Sequence, residues 1–182
     1  MDKSAHHEMS SPPQTPILEI ALPNAGQGDS GEQFNRVLKF VSGRGVVQDF
    51  AQAAECYRKA ADQSHSLAQF NLGIMYAEGQ GMTPDAVESL VWFGRSAQLG
   101  DAGAQFRLGE SFHRASLGQV PLVAAESRIE AYKWYRLAAA QGYKNSENAY
   151  GTLSISMTWA DVADGNARVA AFEIGPQKPP QG

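Results

Sequence analysis

Ala68-Gln69-Phe70-Asn71-Leu72-Gly73-Ile74-Met75-Tyr76 is the stretch that decides the fold, because parts of it return on both sides at a fixed interval. Gln33-Phe34, Gln69-Phe70 and Gln105-Phe106 stand 36 residues apart, and Phe40, Tyr76 and Phe112 keep the same step. A period in the range of roughly 20–50 residues marks an architecture of stacked units, each burying a face only against its neighbours. Working outward, Gly43-Arg44-Gly45 returns as Gly79-Gln80-Gly81, and Tyr57-Arg58-Lys59-Ala60-Ala61 as Phe93-Gly94-Arg95-Ser96-Ala97. The third copy of that block, Trp134-Tyr135-Arg136-Leu137-Ala138-Ala139, comes 42 residues after the second, so the third unit carries six extra residues within 115–125. A fourth first helix is expected over 146–156, with Ala149-Tyr150 in the aromatic register, and there the unit stops.

Within each unit the pattern reads as helix, glycine-rich turn, helix. Ser30 with Gln33 and Ser66 with Gln69 have the form of capping boxes at the start of the first helix. Leu72, Gly73 and Tyr76 share one helical face, where the glycine admits close approach of a second helix. That second helix is expected to start near Thr83-Pro84-Asp85, with proline in its first turn, and to end at Gly100, matched by Gly142, in a left-handed cap. Alternation of period two is absent, so strands have no support. Residues 157–173 form a further amphipathic segment, capped by Thr158, with Val162, Ala163, Val169 and Phe172 able to face the array.

Units of the form A-Q-F-x-L-G-x-x-Y, then G-x-G, then an aromatic pair followed by small residues, resemble the SEL-like repeat family, which is related to tetratricopeptide repeats. The likeness covers residues 28–151. It implies an all-α solenoid, an α-α superhelix of about three and a half helix-turn-helix repeats with a concave binding face and a C-terminal capping helix. The corresponding organisation is a disordered head at 1–27 and repeats at 28–65, 66–101, 102–144 and, in part, 145–156. The capping helix at 157–173 and a tail at 174–182 follow. Two departures stand out. Arg36 and Val37 replace the leucine and glycine of the other units, which suits a terminal repeat with a face toward water. Ala115 replaces the first turn glycine of the third unit, so its connection is rebuilt around residues 117–121.

Composition narrows the function. The chain has 182 residues, is 43% apolar, and carries 15 basic against 19 acidic residues, for a net charge of -4. No basic stripe is available to neutralise a phosphate backbone, so nucleic acid is not an expected partner. No apolar run approaches the roughly 18–20 residues that cross a bilayer, and no membrane insertion is expected. The one cysteine, Cys56, has no partner for a disulfide, and a cytoplasmic location is expected. It occupies the register position of Trp92 and Trp134 and is expected to be a small buried hydrophobe. The head at 1–27, rich in proline and small polar residues, is expected to lack a core, although 17–22 could dock on the first repeat.

No catalytic constellation emerges. His6-His7-Glu8 lacks the second spaced histidine of a zinc-binding H-E-x-x-H, and the glycine pairs repeat with the fold and follow no strand. No metal, cofactor or enzymatic activity is expected. The alternatives are a hydrolase using Glu78, Glu110 and His113 as acid or base, or a structural subunit of a larger assembly. The preferred expectation is an adaptor or regulatory scaffold that binds another protein or peptide. Its concave-face candidates are Phe70, Ile74 and Glu78 beside Phe106, Glu110, His113 and Arg114, although for the two rings inter-repeat core is the preferred reading. The apolar insertion containing Leu117, Val120, Leu122 and Val123 either folds back on the array, with Pro121 starting a longer helix, or forms a binding loop.

Overall fold

A computed structural model describes residues 37, 41, 42 and 48–174. Its helices run in the order α1 (Phe50–Asp62), α2 (Ser66–Glu78), α3 (Ala86–Gln98), α4 (Ala102–Ser116), α5 (Pro121–Ala140), α6 (Ser146–Ile155) and α7 (Trp159–Ile174). No strand occurs among the described residues, and none of their helices is long and apolar enough to cross a membrane. The expectations for Ser30, Gln33, the first glycine pair and residues 17–22 lie outside the described residues.

Most of the helices start where a side chain satisfies their free amides, the exceptions being α5, which opens on proline, and α6. Asp49 accepts from the amides of Ala51 and Gln52 at 2.9 and 3.0 Å, and Asp85 does the same for Val87 and Glu88. Asp101 caps α4 through the Ala104 amide at 2.8 Å. Two boundaries differ from expectation. The second helix of the middle unit starts after Asp85, not within Thr83-Pro84, because the aspartate captures two amides at once. Helix α2 is capped by His65, whose Nδ1 accepts from the Ala68 amide at 3.2 Å, and not by Ser66. Gln69 is therefore released from capping. It is buried, and its Nε2 donates to the Ala61 carbonyl at 2.9 Å, tying α2 to the end of α1. Gln105 repeats this bond one unit on, to the Ala97 carbonyl at 3.3 Å. Gly100 and Gly142 do take the left-handed conformation just past α3 and α5 (φ +91° and +71°).

The Ser89 hydroxyl donates to the Gly73 carbonyl and the Ser96 hydroxyl to the Ser66 carbonyl, both at 2.8 Å, so α2 and α3 run antiparallel. Between them Gly73 meets Phe93 so closely that an added Cβ would lie 2.7 Å from the ring. Gly109 receives Tyr135 in the same way, at 2.5 Å. Three apolar clusters follow one another along the array. The first centres on Tyr57, Leu72 and Met75, the second on Phe70, Phe93 and Leu108, and the third on Tyr132, Tyr135 and Leu153. Cys56, Trp92 and Trp134 are all buried, in keeping with their shared register. Val37 is fully buried in the first cluster, so this departure from the repeat pattern serves the core and does not face water.

Helix α7 lies along α5. Val169 joins the second cluster, Phe172 meets Trp134 edge-on at 5.6 Å, and Gly165 accepts Tyr132, with an added Cβ at 2.6 Å from its ring. Thr158 and Asp161 cap it reciprocally: the Asp161 amide donates to the Thr158 hydroxyl, and the Thr158 amide to the Asp161 carboxylate. Ala163 is exposed and does not contribute to this contact. Outside the apolar seam, Arg168 donates to Glu126 and Glu130 at 2.6 Å and to Asp164 at 2.9 Å.

The insertion combines parts of both expectations. Pro121 occupies the first turn of α5, which has 20 residues against 13 in α3, so most of the extra sequence becomes helix. The apolar side chains do not fold back, however. Leu117, Val120, Leu122 and Val123 are between 47% and 83% exposed. A helix projecting beyond its neighbour has no wall left to pack against.

Candidate functional site

Helices α2, α3 and α4 enclose an open groove of about 390 Å³. Its apolar lining comes from Ile74 on α2 and from Leu90 and Phe93 on α3. Its polar lining comes from Glu78 on α2 and from Arg107, Glu110 and Arg114 on α4. The groove follows from the register. Gly73 draws α3 against α2 through Phe93, while Phe70 leans on Phe93 at 5.7 Å between ring centroids and fills the space under Gly103. These contacts space the first helices of two successive repeats and leave the C-terminal halves of α2 and α4 facing one another across the start of α3.

Of the residues expected on this face, Ile74, Glu78, Glu110 and Arg114 line the groove together. Phe70 does not. At 2% exposure it is inter-repeat core, because its ring is the wedge between Phe93 and Gly103. Phe106 also turns away, packing on Tyr135 and Tyr143 with centroids 5.4 Å apart in both cases. His113 sits edge-on to Tyr135 at 6.4 Å and is not part of the groove lining. The acid and base candidates are thus divided, with Glu78 and Glu110 in the groove and His113 outside it. Sequence register missed Arg107 and Leu90. Arg107 lies one turn before Ser111, on the face shared with Glu110 and Arg114, and a helical wheel of α4 contains it.

Arg107 and Glu110 pair at 3.2 Å across one helical turn, and both are well exposed, so the pair contributes little to stability. Charges of both signs are therefore available to a ligand. Nearby, burial pushes the Tyr135 hydroxyl up to about 12, reinforced by the Glu110 carboxylate and opposed by Arg114. The ring remains neutral and serves as packing. Among the described residues no group of three or more His, Cys, Asp or Glu side chains could hold a metal ion.

Comparison with known proteins agrees with this repeat fold. The model of the Sel1 repeat matches residues 41–65, 66–101 and 102–143. Among solved structures, a Sel1 repeat protein from Oxalobacter formigenes superposes with a TM-score of 0.63 at 25% identity, over 77% of this chain and 57% of that one. The chain thus spans a little over half the length of that protein. A second structure is c5321, a protective antigen present in uropathogenic Escherichia coli strains and displaying an SLR fold. It aligns at 25% identity with a TM-score of 0.49, over 81% of this chain and 39% of that one. No curated protein matches the chain.

Proposed function

The chain belongs to the Sel1 repeat family, whose repeats are generally protein–protein interaction modules, and we propose that it is an adaptor that receives a segment of a partner protein in the groove between α2, α3 and α4. The observation that supports this is the convergence of three helices from two repeats on one open groove, with an apolar floor and charged walls. Ile74, Leu90 and Phe93 offer a place for an aliphatic or aromatic anchor. Glu78 on the α2 wall, with Arg107, Glu110 and Arg114 on the α4 wall, offers flanking charges of both signs to the bound segment. This combination suits a helix or an extended peptide carrying apolar anchors at regular spacing. Small enclosed polar ligands are a poorer match, since the groove is open along its length.

Site-specific photocrosslinking tests the proposal. A photoreactive amino acid at Glu78 or Arg114, both exposed, is expected to capture a partner that is not captured from Gln98, which is exposed at the far end of α3. Leu90→Glu should abolish capture without unfolding the chain, because Leu90 is 40% exposed. Equal capture from Gln98, or capture undiminished by Leu90→Glu, would remove the groove from consideration.

A further inference from the structure

We infer that the C-terminal end of the array is a self-association surface, on which Trp159 of one copy seats over Gly151 of a second copy.

The stack repeats one contact from unit to unit. Gly73, Gly109 and Gly151 occupy equivalent positions on the first helices of successive units, spaced by the same 36 and 42 residues that separate Tyr57, Phe93 and Tyr135. In the two complete units, the second helix lays an aromatic ring on this glycine: Phe93 on Gly73 and Tyr135 on Gly109. Gly151 has no such ring. A Cβ built there meets nothing within 4 Å. The cause is the course of α7, which packs along α5 and spends its own close contact, Gly165 on Tyr132, on that helix. Among the described residues, nothing covers the face of α6 that a second helix would normally cover.

The same end carries an unplaced aromatic. Trp159 and Ile155 are each 86% exposed, the highest values among the large apolar residues of the described chain. Ile155 lies one helical turn beyond Gly151 on α6. Trp159 opens α7 after the short connection at 156–158, and the reciprocal Thr158–Asp161 cap holds that turn, so little freedom remains to be lost on docking. Ring and notch lie eight residues apart, on either side of the capped turn at 156–158, and each copy carries both. That is the condition for an isologous two-fold contact, in which each copy gives a ring and receives one. The occupant is a second copy of this chain, because the chain itself supplies the aromatic its open glycine lacks, and the contact continues the ring-on-glycine packing of the stack.

Sedimentation velocity of the full chain over roughly two orders of magnitude in concentration tests the inference, since the dimer fraction follows mass action. The expected result is a weight-average mass rising from 19.6 kDa toward twice that value. Trp159 supplies a second readout. Trp92 and Trp134 are buried within the fold, so loss of acrylamide quenching and a blue-shifted emission with rising concentration report burial of Trp159. Two variants, Trp159→Ser and Gly151→Met, should each hold the chain as a monomer, the first with an unchanged melting transition and the second with one no lower than wild type, since a mid-helix glycine is replaced by a better helix former. The first removes an exposed ring, and the second fills a notch that touches nothing in its own copy. A constant monomer mass at all concentrations overturns the inference, whether Trp159 stays open to quencher or is shielded within one copy. A dimer that survives both substitutions also overturns it.

Discussion

Substituting alanine at Gly73 and at Gly151 should change stability in opposite directions, although the two glycines hold the same place in their repeats. Replacing a mid-helix glycine by alanine gains about 1 kcal/mol of helix propensity at either site. At Gly151 nothing lies within 4 Å of the new methyl group, so the gain should appear nearly whole. At Gly73 the methyl would stand 2.7 Å from two Phe93 ring carbons, about 1 Å inside the favourable carbon–carbon separation. The ring cannot swing aside freely, since Phe93 is buried and wedged against Phe70. Overpacking of this kind costs about 1–3 kcal/mol. Gly73→Ala should therefore lose about 1 kcal/mol net. Gly73→Val should lose about 2 kcal/mol or more, because a β-branched residue recovers less propensity and adds bulk.

The assay is urea unfolding followed by circular dichroism, with thermal melts alongside at low protein concentration. For a chain of this size 1 kcal/mol corresponds to a shift in Tm of about 2–4 °C, so the two alanine variants should melt about 4–8 °C apart. Phe93→Leu in the Gly73→Ala background should recover part of the loss, and the departure from additivity should exceed about 0.5 kcal/mol because the two positions touch. If Gly73→Ala melts at or above the wild-type temperature, or if the pair is additive, the close approach of α2 and α3 is not what holds the middle unit together.

Three further outcomes follow from individual contacts. Burial lowers the affinity of His65 for a proton, opposed by a backbone hydrogen bond, and its Nδ1 must be unprotonated to cap α2. The unfolded chain then binds the proton more readily, so stability is intact above pH 6.5 and falls as the pH drops below it. Urea midpoints should show this slope in the wild type and lose it in His65→Asn, which still caps. Arg168→Ala leaves Glu126, Glu130 and Asp164 facing one another at the α5–α7 seam. It should cost about 1 kcal/mol at low salt, with the difference shrinking in 1 M salt as screening shortens to about 3 Å. Leu122→Ser, at an 83% exposed site, should leave the melting temperature within about 1–2 °C of wild type, and a larger drop would show that the tip is packed after all.

The repeat period alone makes the array legible in the sequence. The equivalence of Gly73 with Gly109, and of Phe93 with Tyr135, is visible in the sequence, and the structure turns each pair into a contact. What period alone could not show was the destination of polar side chains that reach between units. Gln69 and Gln105 recur in register, yet nothing local distinguishes a capping glutamine from one that donates to the last turn of the preceding helix. The acceptors, Ala61 and Ala97, are identifiable only once the helices are stacked. Phe70 and Phe106 raised the complementary difficulty. A helical wheel places them beside Ile74 and Glu110, but their rings are drawn sideways by Gly103 and by Tyr143, residues on neighbouring elements. Short polar side chains and glycine set the spacing, and long apolar ones follow it.

The same logic accounts for how the array ends. A regular fourth unit would need a second helix with an aromatic in register against Gly151. After the three-residue connection at 156–158 the chain presents Asn166, Ala167 and Val169, and no ring at that place. The nearest close fit available to α7 is instead Gly165 on Tyr132, strengthened by Phe172 against Trp134 and by Arg168 reaching Glu126 and Glu130. Packing on α5 satisfies the apolar face of α7 at once, and among the described residues the Gly151 face of α6 is left uncovered. An array closed in this way shields the second and third clusters but leaves its last first-helix with a glycine notch, and growth by further repeats is replaced by a surface that another helix can complete.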